Sequence, residues 1–442
     1  MPTSFLPYDR NQSYLLPPSP LDWLPEGHLA LFIGDVVDGL DLRGFYARYE
    51  GDGRRNQPHS PTMMVKVLLY GYASGVFSSR QIARKLHEDV AFRVLGAGNF
   101  PAHRTICDFR QLHLEELTGL FVQVVRLARE LGLVKLGMLG VDGTKVKANA
   151  SRHKAMSYGR MKEEEARLKA EIGELLKRAE CLDRAEDERL GAEATEEELP
   201  EELKRREERL LKIEAARARL EARQKEADVA RGRCDGDDRK PTKGDGRGSK
   251  FKREFGVPQE RAQENFTDPE SRIMKTQHGF QQCYNAQAAV DGQSQLIVAT
   301  GLSNNSSDNA ELLPMVKAAQ HNVGKAPDVV LADAGYRSEE TFAALEHAGT
   351  NALVALGREG KAALRLDPER SPASARMAQK LKTEAGEAQY RRRKVIPEPV
   401  FGWIKHVLGF DRFSLRGLKK AAAEWDLVCL AVNLKRMHVL TA

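Results

Sequence analysis

At 442 residues the chain is too long for one ordinary core, so two or three domains are expected. Its apolar fraction of 41% is lean and its charged fraction of 30% is high, a balance met if one long segment is solvated helix. A net charge of +6 points to an anionic partner, and five scattered cysteines without a CxxC pair argue against a disulfide framework or a cysteine-rich zinc site.

At the N-terminus no basic stretch leads into an apolar one, and no apolar run of about 18 residues appears anywhere, so no membrane partner is expected. The expected location is the reducing cytoplasm. Residues 1–28 read as an extended arm rich in proline and aromatics. Residues 29–132 read as all helix, beginning with Leu29, Phe32, Ile33, Val36 and Val37 at three-four spacing. Ser60-Pro61 opens a second helix with Met64, Val65, Val67, Leu68 and Leu69 on its apolar side. A third starts at Ser78, with Ile82, Leu86 and Val90 on one face, and runs to the break at Gly96–Asn99. Pro101 starts a fourth, with Ile106, Phe109 and Leu112 inward and His103, Arg104 and Arg110 outward. Two short helices whose second offers basic side chains suit docking into a DNA groove, and they equally suit a plain bundle with a solvated face. A helix from Leu117 to Leu131 closes the region.

Residues 133–442 alternate strands and helices. Leu136–Val141 reads as a buried strand, punctuated by Asp142-Gly143 and resumed as Thr144–Ala148. Two readings stay open. Asp-Gly between apolar runs is the usual two-residue hairpin turn. A carboxylate at a strand rim followed by Lys145 and Lys147 suits a metal ion facing a polyanion.

From 160 to 231 the chain is nearly all Glu, Lys, Arg, Ala and Leu. Leu168, Ile172, Leu175, Ala179 and Leu182 follow a heptad seam, as do Leu199, Leu203, Leu210, Ile213 and Leu220. Thr195 and Glu198 form a capping-box candidate before Pro200, so the segment reads as an antiparallel coiled-coil hairpin with arms of roughly 45 Å. Residues 232–265 read as a flexible linker.

Strand signals return at Cys283–Val290 and Leu296–Ala299, joined by Asp291-Gly292. A helix is expected over Asn309–Gln320, a buried strand over Val329–Ala332 ending at Asp333, and a helix over Glu339–Ala348. Ala352–Leu356 is another strand, Glu398–Val407 a helix after Pro397, and Leu427–Met437 a final apolar helix. This order predicts an α/β fold, a mixed sheet flanked by helices. If the strands at Leu136 and Val329 lie side by side, Asp142 and Asp333 emerge at one edge, and the helix at Pro397 adds Glu398. Three converging carboxylates repel one another unless divalent cations neutralise them, and oxygen-only ligation selects Mg²⁺ or Mn²⁺, two ions in a phosphodiester-cleaving site. Each residue also has a plainer reading: Asp333 as a strand-end turn residue, Glu398 as a first-turn acid favoured by the helix dipole.

Several stretches together resemble the bacterial insertion-sequence DDE transposases. They are GVDGTKVKANASRHKAMSYGRM (Gly140–Met161), TDPESR (Thr267–Arg272), YNAQAAVD (Tyr284–Asp291), LADAGYRSEE (Leu331–Glu340) and EPVFGWIK (Glu398–Lys405), with HRTICDFR (His103–Arg110) and RGLKKAAAEWDLVCLAVNLKRM (Arg416–Met437). The resemblance implies an RNase H-like catalytic domain with the helical hairpin inserted between its early strands, and Asp142, Asp333 and Glu398 as metal-binding triad. The family signature places a tyrosine and an arginine ahead of the glutamate and a lysine seven residues after it. Glu398 and Lys405 fit, whereas Arg391 and Lys394 occupy the first two positions, with Tyr390 and Arg393 one residue early. Lys145, Lys147, Arg393, Lys394 and Lys405 are the cations expected to meet DNA, with Arg104 and Arg110 from the helical region. Trp403 reads either as a stacking platform for a base or as a core residue. The implied activity is hydrolysis at the transposon ends followed by attack of the freed 3′-hydroxyl on target DNA, by a homodimer in the synaptic complex, at the nucleoid. The competing readings are an RNase H-like nuclease that cuts without joining, and a DNA-binding or coiled-coil scaffold whose site has decayed.

Overall fold

The structure, a computed structural model, describes residues 19–49, 57–190, 201–236, 249–357 and 367–442, and at 178–190 and 201–202 the backbone alone. Most of the N-terminal arm, the expected cap around Thr195 and Glu198, the seam position Leu199, the side chains of the seam positions Ala179 and Leu182, and most of the charged stretch after Gly232 lie outside what is described.

Seven helices come first: α1 (Leu29–Asp38), α2 (Arg43–Ala47), α3 (Pro61–Ala73), α4 (Ser79–Glu88), α5 (Val90–Gly96), α6 (His103–Leu112) and α7 (Leu114–Glu130). The expected third helix is broken in two, because the Asp89 carboxylate accepts from the Ala91 amide at 3.0 Å and caps a new start. In α3 the helix is buried on nearly every side rather than along one stripe. In α6 the expected facing fails at two positions: Leu112 is exposed and Arg110 buried.

There follow β1 (Met138–Lys147), β2 (Ala155–Ser157), α8 (Tyr158–Leu190), α9 (Glu201–Ala230), β3 (Gln263–Asn265), β4 (Arg272–Thr276), β5 (Gly279–Asp291) and β6 (Ile297–Ser303). The last third holds α10 (Leu312–Val323), β7 (Val329–Ala332), α11 (Glu339–His347), β8 (Ala352–Val354), α12 (Pro372–Lys382), α13 (Glu384–Tyr390), α14 (Pro397–Gly402) and α15 (Leu418–Thr441). The chain forms two compact units. One comprises Met1–Val146, Asn285–Leu415 and Lys419–Ala442, the other Lys147–Tyr284 and Arg416–Leu418.

In the larger unit the sheet runs β5-β1-β7-β8, with β6 also on β5. β1–β7 and β7–β8 are parallel and β5–β6 is antiparallel, so the sheet is mixed. Residues 282–291 of β5 are all buried, as a strand covered on both faces requires. Helix α15 packs there almost all round: the Trp425 indole donates to Gln287 O at 2.9 Å, and Asn433 exchanges two hydrogen bonds with the Ile297 backbone. On the other elements α10 packs against β6 and α12 against β8.

The hairpin-turn reading of Asp142-Gly143 is overturned. β1 runs straight through both residues, and the Ala148 amide still donates to Gln282 O beyond them. A strand that keeps a ladder partner has no need to reverse.

In the smaller unit β2 and β3 pair antiparallel. Tyr158, Met161 and Leu168 on α8 pack with Ile213, Ala216 and Leu220 on α9, so the two long helices run antiparallel. Their charges are largely spent on each other: Glu165–Arg217 at 2.6 Å, Glu171–Arg206 at 2.9 Å and Lys169–Glu214 at 2.9 Å cross between the helices. At their base the buried Glu264 carboxylate takes Arg219 at 2.7 Å and Arg223.

Candidate functional site

β1 and β7 pair in parallel with Val141 opposite Ala332, so the next residues, Asp142 and Asp333, stand at equal register on neighbouring strands. Parallel neighbours lie roughly 4.8 Å apart, which sets these two carboxylates at one sheet edge. Each is oriented by its own backbone. The Gly143 amide donates to Asp142 Oδ1 at 2.8 Å, and the Gly335 amide donates to Asp333 Oδ1 at 2.8 Å in a short 3-10 turn, Ala334–Tyr336. Burial pushes the Asp142 carboxyl up to about 6; the Gly143 hydrogen bond opposes this, Asp333 adds to it, Arg393 opposes it and Glu398 adds to it.

Glu398 arrives by a close approach that the sequence permits at Gly140. A Cβ at Gly140 would fall 2.7 Å from Ile396 Cγ2 and 3.0 Å from Pro397 Cδ, so the start of α14 lies directly on β1 two residues before Asp142. Glu398 itself is exposed, with Arg393 Nη2 at 3.5 Å from Oε1. Among the described residues no three His, Cys, Asp or Glu side chains stand close enough together to make a formed metal cluster. The donor chemistry nevertheless fits a hard divalent cation. The set is all carboxylate, and burial, with the charges of the other two, already holds Asp142 well above its ordinary 3.8.

The expected cations divide. Lys405 donates to the Thr144 hydroxyl, two residues past Asp142. Its helix changes from α to π at Trp403–Val407, closed by the Leu408 amide on Trp403 O at 3.0 Å, rather than continuing as one α-helix to Val407. Lys145 reaches Asp308 Oδ1 at 3.2 Å. Arg393, mostly buried in a 3-10 turn over Arg391–Arg393, is the arginine that meets Glu398; Lys394, one residue on, is exposed. Lys147 belongs to the smaller unit. Trp403 is half-buried, lies under the Lys435 ammonium at 4.8 Å and lines a cavity of about 350 Å³ with Pro399, Val400 and Arg436.

Arg104 stands out from α6 with 88% of its side chain exposed. Arg110 requires a correction: it is 4% exposed, donates to the Tyr72 hydroxyl at 2.7 Å and lies 3.7 Å from the buried Glu424, so it offers DNA no surface. One turn before it, Ile106 is the residue that truly marks the inward face.

Sequence reasoning missed a belt of polar groups beside Asp142: buried Asn285, Gln287 and Tyr336, with half-buried Asp308. A signal existed. Asn285 and Gln287 are two amides on one face of the strand stretch Cys283–Val290, where the neighbours are apolar and an amide is costly unless bonded. Burial, with the charges of Asp142, Asp308 and Asp333, raises the Tyr336 hydroxyl so that it stays a donor.

Two family models match the chain: a transposase domain (DUF772) over residues 18–112 and a transposase DDE domain over residues 247–434. Asp333 and Glu398 fall inside the second, and Asp142 falls between the two. No curated protein and no solved structure matches it. The two matched stretches lie at the helical beginning and across the mixed sheet, and the chain belongs to the insertion-sequence DDE transposases.

Proposed function

We propose that the protein binds the terminal inverted repeats of its insertion sequence, cleaves at the transposon ends by metal-dependent hydrolysis, and joins the freed 3′-hydroxyls to target DNA. The observation that carries this is the equal register of Asp142 and Asp333 on adjacent parallel strands, with the Glu398 helix seated on Gly140 beside them. In this reading the sheet is the RNase H-like catalytic core, and residues 29–132 form the end-binding domain. Asp142, Asp333 and Glu398 hold Mg²⁺ or Mn²⁺, two ions, which when bound supply activation of the attacking oxygen and neutralisation of the departing one.

The chain's own groups do the rest. Lys405, placed by Thr144, and Lys145 meet the phosphates next to the cut, with Lys147 and Lys394 beyond them. Arg393 steadies the Glu398 carboxylate and brings a second planar donor to the backbone. Trp403 offers a ring face to an unstacked base, and Arg104 extends the positive surface of α6. No serine or tyrosine nucleophile is required. Two ends brought together call for two chains, so the working species is a homodimer, in the cytoplasm at the nucleoid.

The test uses the full chain with labelled duplexes from the DNA flanking its gene. Asp142→Ala, Asp333→Ala and Glu398→Ala each abolish Mg²⁺-dependent end cleavage while end binding persists; full cleavage by Asp142→Ala overturns the assignment. Joined products carrying the labelled 3′ ends separate a transposase from a nuclease that only cuts.

A further inference from the structure

On β5, next to the strand that carries Asp142 and on its far side from β7, lies Gln287, to which the transposase reading gives no role. It is wholly buried on β5. Its Oε1 accepts the Tyr336 hydroxyl, and its Nε2 donates to Asn285 Oδ1 at 3.0 Å and to Asp308 Oδ1 at 2.9 Å. Asn285 Nδ2 reaches the same Asp308 oxygen at 2.6 Å, and the Lys145 ammonium reaches it at 3.2 Å. Both N–H groups of the Gln287 amide and its oxygen are thus engaged, and it cannot rotate without unpairing buried Asn285 and Tyr336 and half-buried Asp308 at once.

Both aspartates border this side chain. Gly143 directly follows Asp142, and a Cβ there would overlap the Gln287 amide, so that amide is packed flat on the β1 backbone. Tyr336 closes the turn that Asp333 opens, and a Cβ at Gly335 within it would lie 2.9 Å from Asp333 Oδ1 and 3.2 Å from Asp308 Oδ2. One amide thus touches the residue after Asp142 and is bonded to the last residue of the Asp333 turn.

We infer that Gln287, clamped by Asp308, Asn285 and Tyr336, is a positioning residue that fixes how far apart the Asp142 and Asp333 carboxylates stand. The inference rests on the proposed function, because it concerns the spacing of the same acid pair. Such groups behind a metal-binding carboxylate hold it in the geometry a cation needs, and losing one typically costs roughly 10- to 100-fold in metal affinity or activity.

The experiment uses the full-length protein. Mn²⁺ binding is titrated calorimetrically without DNA, end cleavage gives kcat and KM, and thermal unfolding reports the fold. Q287L is expected to weaken Mn²⁺ binding and to lower kcat by roughly 10-fold or more, while KM for end DNA stays within about twofold. Y336F, which loses one hydroxyl and keeps the ring, is expected to move both in the same direction by a few-fold. A folded Q287L or Y336F with wild-type Mn²⁺ affinity overturns the inference. So does collapse of the fold in both variants, since the network would then serve stability alone. A wild-type chain that neither binds Mn²⁺ nor cleaves ends overturns the proposed function itself, and the inference with it.

Discussion

Asp142 and Asp333 are the residues that follow a paired couple, Val141 and Ala332, on two parallel strands. Burial, opposed by the Gly143 amide and joined by the charge of Asp333, pushes the carboxyl of Asp142 up to about 6 from an ordinary 3.8. A raised acid binds its proton more tightly in the folded chain than in the unfolded one. Its cost is absent below about pH 4, grows as pH rises through 6, and is complete above that. At 1.36 kcal/mol per unit the ceiling is about 3 kcal/mol. Asp142→Asn is therefore expected to stabilise the metal-free protein at pH 8 by up to that amount and to leave it unchanged at pH 4. Urea unfolding in EDTA at the two pH values measures this, and equal or lower stability of the variant at pH 8 refutes it.

Gly140 sets the other arm of the site. Its missing side chain lets buried Ile396 and Pro397 lie on β1, and neither a proline ring nor a buried branched side chain has room to retreat. Gly140→Ala should cost about 1–3 kcal/mol as overpacking. It should also lower end cleavage more than end binding, because what moves is the segment that delivers Glu398. Cleavage and binding that fall in equal proportion would show that the close approach does not serve the third carboxylate.

Much of this is legible in the sequence. Val329–Ala332 stands as a strand at those limits, and the Leu136 and Val329 strands do lie side by side, because short apolar runs bounded by turn signals have few other uses. Asp142-Gly143 misled, since the dipeptide is compatible with a turn and with an extended strand, and only the neighbouring β5 decides between them. The facing of α6 misled at Arg110 for a related reason: whether a guanidinium is outside depends on a carboxylate from residue 424, far along the chain. The Gln287 network was invisible to periodicity, which counts an amide as polar and outward, although full hydrogen bonding allows it inside.

The two arginines of α6 separate cleanly by experiment. Glu424 gathers the Ser414 and Leu415 amides at 2.9 Å each and the Tyr72 hydroxyl at 3.3 Å, with Arg110 as its counter-charge. Removing one partner of such a buried pair typically costs 3–5 kcal/mol, roughly what Arg110→Ala should lose in urea unfolding. Arg104→Ala, on the exposed side, should stay within about 0.5 kcal/mol of wild type and instead weaken end binding. An Arg110→Ala protein of unaltered stability would return that residue to the surface.

Lys405 supplies the last prediction, because its ammonium donates to the Thr144 hydroxyl on β1, two residues from Asp142. A lysine held that way presents its charge toward the same sheet edge as the aspartates. If it neutralises one phosphate, Lys405→Ala reduces the slope of log Kd against log salt by about one and weakens binding to all duplexes alike. Thr144→Val should reproduce part of the binding loss with the salt slope retained, since the charge remains and only its placement is relaxed. Anisotropy titrations of the full chain on end and scrambled duplexes, from low to moderate salt, measure both variants. A Lys405→Ala slope equal to wild type would remove this lysine from the DNA path.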